Sequence, residues 1–141
     1  MSTRSRIGME FTDDNGTRLV KSIYCHFDGY PEGVGQKLQN FFLEREKVDT
    51  LVSLGDISFL EKEIVSKGNH SFDQPERGVT VAYHRDRGED YCAPRIDAGV
   101  DAFFESDFEE YGYVFSEEGE WLVGGVEDIA IPLPYAISLR E

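Results

Sequence analysis

Residues 4–27 read Arg4-Ser5-Arg6-Ile7-Gly8-Met9-Glu10-Phe11-Thr12-Asp13-Asp14-Asn15-Gly16-Thr17-Arg18-Leu19-Val20-Lys21-Ser22-Ile23-Tyr24-Cys25-His26-Phe27, and this stretch decides the fold. Ile7, Met9 and Phe11 alternate with Arg6, Gly8 and Glu10, which is the period of two of a half-buried strand. Asp14-Asn15-Gly16 is a three-residue hairpin loop with glycine at the left-handed position such loops favour. That loop pairs Asp13 with Thr17. Phe11 then faces Leu19, Ile7 faces Ile23 and Ser5 faces Cys25. One face of the hairpin becomes apolar, with Met9 opposite Lys21 as its flaw. The other face sets Arg4 beside His26 and Arg6 beside Tyr24. A one-residue slip would scramble both faces, so their consistency supports the register.

Beyond the hairpin, Asp28-Gly29-Tyr30-Pro31-Glu32-Gly33 is rich in turn formers and ends the second strand. A helix is expected from near Gly33, because Val34, Leu38, Phe41 and Phe42 share one stripe. A second helix carries Val48, Leu51 and Val52 and stops at Gly55. A short third helix is expected from Asp56, with Ile57, Leu60 and Ile64. Residues 66–78 read as loop, 79–83 as a strand, and 84–90 as a charged loop. A helix over 98–109 carries Val100, Phe103, Phe104 and Phe108. Residues 111–115 and 120–123 form a second hairpin around Glu117-Glu118-Gly119. The tail, 129–139, is apolar but broken by Pro132 and Pro134, as in an edge strand or extended segment. The order is β-β-α-α-(α)-β-α-β-β. With no repeat or linker, residues 1–141 read as one α+β domain: a single antiparallel sheet with helices packed on one face.

A chain of 141 residues, 40% hydrophobic and 13% aromatic, has the means to bury one core and is not expected to be disordered. No apolar run is long enough to span a bilayer. The first residues, Met1 to Arg6, are polar and unlike a signal peptide. A cytoplasmic protein with no membrane partner is therefore expected, with Cys25 and Cys92 as reduced thiols. The net charge of −14 is unevenly spread: eleven acids and no Lys or Arg lie between Ile96 and Leu139. Such a stretch is either a solvated surface or a patch aimed at a basic partner, nucleic-acid mimicry included. Direct binding to a nucleic-acid backbone is disfavoured, because it needs a broad basic surface.

Chemistry is sought first on the hairpin face of Arg4, Arg6, Tyr24 and His26, with Asp28 at its end. Guanidinium groups grip phosphate through paired hydrogen bonds, and Tyr and His stack on a base. The plainer reading is a solvated strand face with Arg stems lying over rings. The second place is His84-Arg85-Asp86-Arg87-Gly88, where Arg85 and Arg87 are spaced to close over an anion. The plainer reading there is a loop neutralised by Asp86, Glu89 and Asp90. Cys25 and His26 do not form a nucleophile pair, because strand neighbours point to opposite faces and Cys25 falls on the apolar one. Three His and two Cys show none of the tight spacings of zinc sites; only a site gathered by folding from His26, His70, His84 and acids stays open. Gly29, Gly33 and Gly35 near a helix start leave N–H groups for an anion, although the helix start alone explains them. Phosphate-loop, dinucleotide and nucleophile-elbow motifs are absent. No catalytic residue, metal ligand or cofactor is assigned.

Ser2-Thr3-Arg4-Ser5-Arg6-Ile7-Gly8, followed by Ile23-Tyr24-Cys25-His26-Phe27-Asp28-Gly29-Tyr30-Pro31, resembles a group of small bacteriophage proteins. That group's pattern reads STRSxIG and then IYCHWDGYP, so this chain has Phe27 in place of the Trp. Ala82-Tyr83-His84-Arg85-Asp86-Arg87-Gly88 and the hairpin Tyr113-Val114-Phe115 with Trp121 also resemble it. The resemblance implies a phage protein acting in the bacterial cytoplasm. It suggests an anti-defence protein that sequesters a nucleotide-derived immune signal, of cyclic nucleotide or ADP-ribose type, without catalysis. The expected pocket uses Arg4, Arg6, Tyr24 and His26 with Asp28, Tyr30, Arg85 and Arg87. A homodimer is expected on the ground that such pockets are often completed across an interface. Two alternatives stand beside it: an acidic inhibitor or nucleic-acid mimic that docks on a host defence protein, and a nucleotide-cleaving enzyme with His26 or His84 as acid or base.

Overall fold

The alternating residues of the first hairpin form β1 (Ser5–Thr12) and β2 (Arg18–Cys25) in the expected register, Phe11 against Leu19, Ile7 against Ile23 and Ser5 against Cys25. The structure, a computed structural model, describes residues 2–139. Gly16 closes the loop at φ 80°, and Asp13 Oδ1 accepts the N–H groups of Asn15 and Thr17 at 2.9 Å each. The flaw on the apolar face is compensated. Lys21 pairs with Asp49, and its ammonium lies 5.4 Å from the centre of the Phe11 ring.

A π-helical turn (Pro31–Gly35) leads into α1 (Gln36–Phe41), which is followed by α2 (Arg45–Ser53). The helical stripe is as expected, with Val34, Leu38 and Phe42 fully buried, but Phe41 points outward. Next come β3 (Ile57–Phe59), β4 (Val81–Ala82), α3 (Tyr83–Arg87) and β5 (Arg95–Asp97). Then follow α4 (Val100–Glu105), the hairpin of β6 (Tyr111–Phe115) and β7 (Trp121–Gly124), β8 (Ile131–Pro132) and α5 (Leu133–Ser138).

The class is α+β, built on one sheet ordered β4-β3-β2-β1-β6-β7-β8, with β5 also paired to β2. The expectation of purely antiparallel pairing needs correction. The hairpins are antiparallel, but β1 runs parallel to β6 and β2 parallel to β3. Long connections through helices permit such crossovers. The expected third helix is instead β3, because the end of β2 captures it: Ile57 sits opposite Cys25, and its carbonyl accepts the His26 N–H at 3.2 Å. The expected loop over 84–90 begins as α3, capped by Gly88 at φ 70°. The tail forms the short edge strand β8 and then a helix.

Helices on one face alone is the second correction. Ile7, Met9, Ile23, Cys25, Tyr113, Phe115, Trp121 and Val123 face α1, α2 and α5 in the main core. The opposite face holds a smaller cluster, in which Val20 and Val114 pack against Phe103, Phe104 and Phe108 of the α4 region. Glycine permits this approach. A Cβ at Gly112 would lie 2.7 Å from Phe108 Cγ, and one at Gly124 would lie 2.8 Å from Phe104 Cδ1.

Candidate functional site

The second face of the β1–β2 hairpin forms a shelf beyond the edge of α4. Strand alternation places Arg6 and Tyr24 there, and their Cα atoms are register partners. Arg6 is half-buried, donating from Nε to Ser22 Oγ at 3.0 Å and from Nη2 to Ser22 O at 2.9 Å. Among the described residues its Nη1 has no partner, and it is not sealed from solvent. Burial, and then the neighbouring Arg95 guanidinium, pull the Arg6 pKa down from its usual value. Arg4 is exposed: its backbone N–H donates to Glu110 Oε2 at 2.6 Å, its guanidinium lies 3.9 Å from Glu109, and its charge acts on the Tyr24 phenol.

Tyr24 Oη lies 2.7 Å from His26 Nδ1. Burial raises the Tyr24 pKa, with Arg4 opposing it, so the phenol stays protonated and donates. A neutral His26 then carries its proton on Nε2. His26 also meets the half-exposed Phe27 ring edge-on at 4.5 Å. Asp56 accepts the Tyr24 backbone N–H at 2.9 Å, and burial raises its pKa. Tyr83 is tied to the same aspartate, its backbone N–H donating to Asp56 O at 3.2 Å. Asp56 and Tyr83 were not singled out in the sequence, because their nearness depends on β3 and β4 docking against the end of β2.

The turn after β2 is fixed by close backbone contacts. Asp28 has φ 60°, its carbonyl accepts the Val34 N–H at 2.8 Å, and Gly29 N donates to Thr3 O at 2.9 Å. Buried Tyr113 Oη donates to Gly29 O at 2.7 Å. Asp28 and Tyr30 hold each other at 3.4 Å, and the described hydrogen bonds do not join them to Tyr24 or His26.

Arg85 is not placed to take a ligand. It donates to Ile64 O at 2.5 Å, to Thr80 O at 2.7 Å and to both Asp86 oxygens. Asp86 also accepts Ala82 N–H at 2.8 Å and His70 Nε2–H at 3.1 Å. His70 Nδ1 accepts the Glu76 N–H at 2.9 Å, which fixes the neutral tautomer. Burial works against the Asp86 carboxylate, but donors from Arg85, Ala82 and His70 outweigh it and hold its pKa below the usual value. This network ties the 66–78 loop to α3. Arg87 lies 4.1 Å from the Phe72 ring centre and pairs with Glu89 at 2.9 Å.

A cleft of about 480 Å³ lies elsewhere, among Leu54, His84, Tyr91, Cys92 and Pro94. His84 Nδ1 donates to Glu89 O at 2.9 Å, and the Cys92 thiol approaches the same carbonyl at 3.7 Å. The two share an acceptor, not a proton. Burial, together with Asp56, Glu89 and Asp90, raises the Cys92 pKa, so no thiolate is favoured. Cys25 is sealed in the core, its pKa pushed up to about 12 by burial. Among the described residues no cluster of three His, Cys, Asp or Glu is arranged for a metal. No described helix is long and apolar enough to cross a membrane. Comparison with protein-family models, curated proteins and solved structures finds no match for this chain.

Proposed function

We propose that the protein is a non-catalytic binder of a phosphate-bearing, nucleotide-derived molecule, held on the shelf of Arg4, Arg6, Tyr24 and His26. The observation that supports this reading is that Arg6 and Tyr24 are register partners across β1 and β2, with Tyr24 Oη 2.7 Å from His26 Nδ1 and Arg4 just before β1. Arg4 and the Arg6 Nη1 donate to phosphate, which accepts charge-assisted bonds better than neutral groups do. His26 and Phe27 offer rings to a base, while the Tyr83 ring is engaged by Phe72 and Arg87. The Asp28 carboxylate at the end of the shelf accepts from a ribose hydroxyl. Arg85 drops out of the site, and Arg87 contributes only if it leaves Glu89. The resemblance to phage proteins supplies the setting, sequestration of an immune signal in the bacterial cytoplasm.

The reading favours binding over cleavage. Among the described residues His26 makes one side-chain hydrogen bond, accepting from Tyr24 Oη, and both thiols have raised pKa values.

The test is thermal unfolding against cyclic dinucleotides, ADP-ribose, cyclic ADP-ribose isomers, NAD and ATP. A ligand at a hundred times its Kd adds about 2.7 kcal/mol, or roughly 5–10 °C in a chain of this size. Arg4→Ala and Arg6→Ala remove the shift, and the ligand is recovered unaltered. A shift that survives in both variants would place the ligand elsewhere. A shift with none of these compounds would sink the reading.

A further inference from the structure

A second surface lies on the same face of the sheet, on the far side of α4. There a groove of about 530 Å³ runs between α4, β7 and the 125–130 loop. Its floor is apolar: Phe104, Phe108, Leu122 and Ile129 line it, and Ile129 is 73% exposed. Its rim carries Asp101, Glu105, Glu127 and Asp128. All four are exposed, and among the described residues none forms an ion pair or a side-chain hydrogen bond. Acids nearby behave differently. Glu109 and Glu118 sit near Arg4 and Arg18, Glu117 pairs with Arg45, and Asp97 pairs with Arg95. No Lys or Arg occurs between Ile96 and Leu139 to neutralise the rim from within.

We infer that this groove docks a cationic, partly apolar polypeptide segment of another protein, with an aliphatic or aromatic side chain on Phe104, Leu122 and Ile129 and Lys or Arg over the rim. Charge complementarity selects this occupant. Four unpaired carboxylates repel anionic lipid and nucleic acid and draw a basic segment in, while the apolar floor gives the segment a reason to stay. The shelf of Arg4 and Arg6 plays no part, so this inference stands whether or not a nucleotide binds there.

The probe is a fluorescein-labelled twelve-residue peptide of alternating Lys and Leu, titrated by anisotropy at low and moderate salt. Two controls accompany it, one with every Leu replaced by Ser and one with every Lys replaced by Glu. The Lys–Leu peptide binds, the other two do not, and added salt weakens binding. Glu127→Gln with Asp128→Asn weakens it about tenfold. Glu118→Gln with Glu120→Gln removes the same charge outside the groove and leaves affinity within about twofold. Ile129→Ser changes an exposed side chain, so the fold is kept, and it also weakens binding. Equal losses from both charge pairs, or full affinity in Ile129→Ser, would reduce the effect to general attraction by an acidic protein and overturn the inference. Sedimentation equilibrium without peptide supplies the last arm: a dimer that Ile129→Ser abolishes would make the occupant a second copy, which also overturns it.

Discussion

Gly33→Ala separates helix propensity from the geometry of the shelf. Gly33 lies in the helical turn that follows β2, and alanine in a helix is favoured over glycine by about 1 kcal/mol. Propensity alone therefore makes the substitution stabilising. The structure reverses the sign. A Cβ at Gly33 would lie 2.4 Å from Asp28 O and 3.2 Å from Tyr30 Cε2. The Asp28 oxygen has little freedom to retreat: it accepts the Val34 N–H at 2.8 Å, and the next residue is tied to Thr3. Overpacking of this kind costs about 1–3 kcal/mol and a weakened hydrogen bond about 1 kcal/mol more. Less the propensity gain, Gly33→Ala destabilises by about 1–3 kcal/mol. The assay is urea unfolding followed by the fluorescence of Trp121, the one tryptophan and a buried one, with the m value unchanged. Gly68→Ala is the control. Its Cβ would meet only the end of the Glu76 side chain, and it stays within about 0.5 kcal/mol of the parent. A Gly33→Ala protein as stable as the parent, or more so, would refute the placement of the Asp28 turn and with it the end of the shelf.

Arg85→Ala removes donors to Asp86 and two carbonyls and costs about 2–3 kcal/mol in the same assay, whereas Arg4→Ala stays within about 0.5 kcal/mol. Asp86 has a folded pKa below its unfolded one, so its contribution is complete above the ordinary carboxylate pKa, near 4, and is lost as pH falls through the folded value. Asp86→Asn flattens that acid limb of a stability–pH curve; an unchanged limb would mean the network does not hold the carboxylate. A native thiol titration modifies Cys92 slowly and leaves Cys25 untouched until denaturant is added, and early loss of both thiols would contradict the sealed core. Gly112→Ala costs more than Gly124→Ala in urea unfolding, because both would meet Phe108 but the Gly112 Cβ also meets fully buried Phe103, while the Gly124 Cβ meets half-buried Phe104, which can yield toward the groove.

The first hairpin was legible because every constraint on it is local. Loop length, the glycine at position 16 and period-two alternation fix one register, and the structure has that register from Ser5–Cys25 to Thr12–Arg18. The second hairpin and the stripes of α1 and α2 were legible for the same reason. Elements defined by distant partners were not. Ile57, Leu60 and Ile64 are all buried, as a helical stripe would have them, but Ile57 is held as a strand by β2. Local spacing is compatible with both states, and the tertiary hydrogen bond decides. The site divides along the same line. Arg6 and Tyr24 were legible as register partners. For Arg85 the plainer reading, neutralisation by Asp86, was legible, but Ile64, Thr80 and His70, which complete that network, lie in loops whose path no periodicity reveals.

The second face of the sheet explains why both candidate surfaces lie where they do. The main core face is closed by α1, α2 and α5, and its central side chains are inaccessible. On the other face, among the described residues, α4 alone of the helices, six residues long, sits over the middle strands, drawn in by the glycines at 112 and 124. A helix that short leaves both flanks uncovered. On the β2 flank lie exposed Arg4 and half-buried Arg6, Tyr24 and His26; on the β7 flank lie half-buried Leu122, exposed Ile129 and four exposed carboxylates. The flanks have opposite charge preference, so a single ligand class cannot satisfy both. The field of a −14 chain reinforces the β7 flank and opposes the β2 flank. Capture of a basic segment therefore gains from long-range attraction and weakens with salt. An anionic ligand on the shelf gets no such help from the whole molecule, and its affinity has to come from short-range bonds to Arg4 and Arg6.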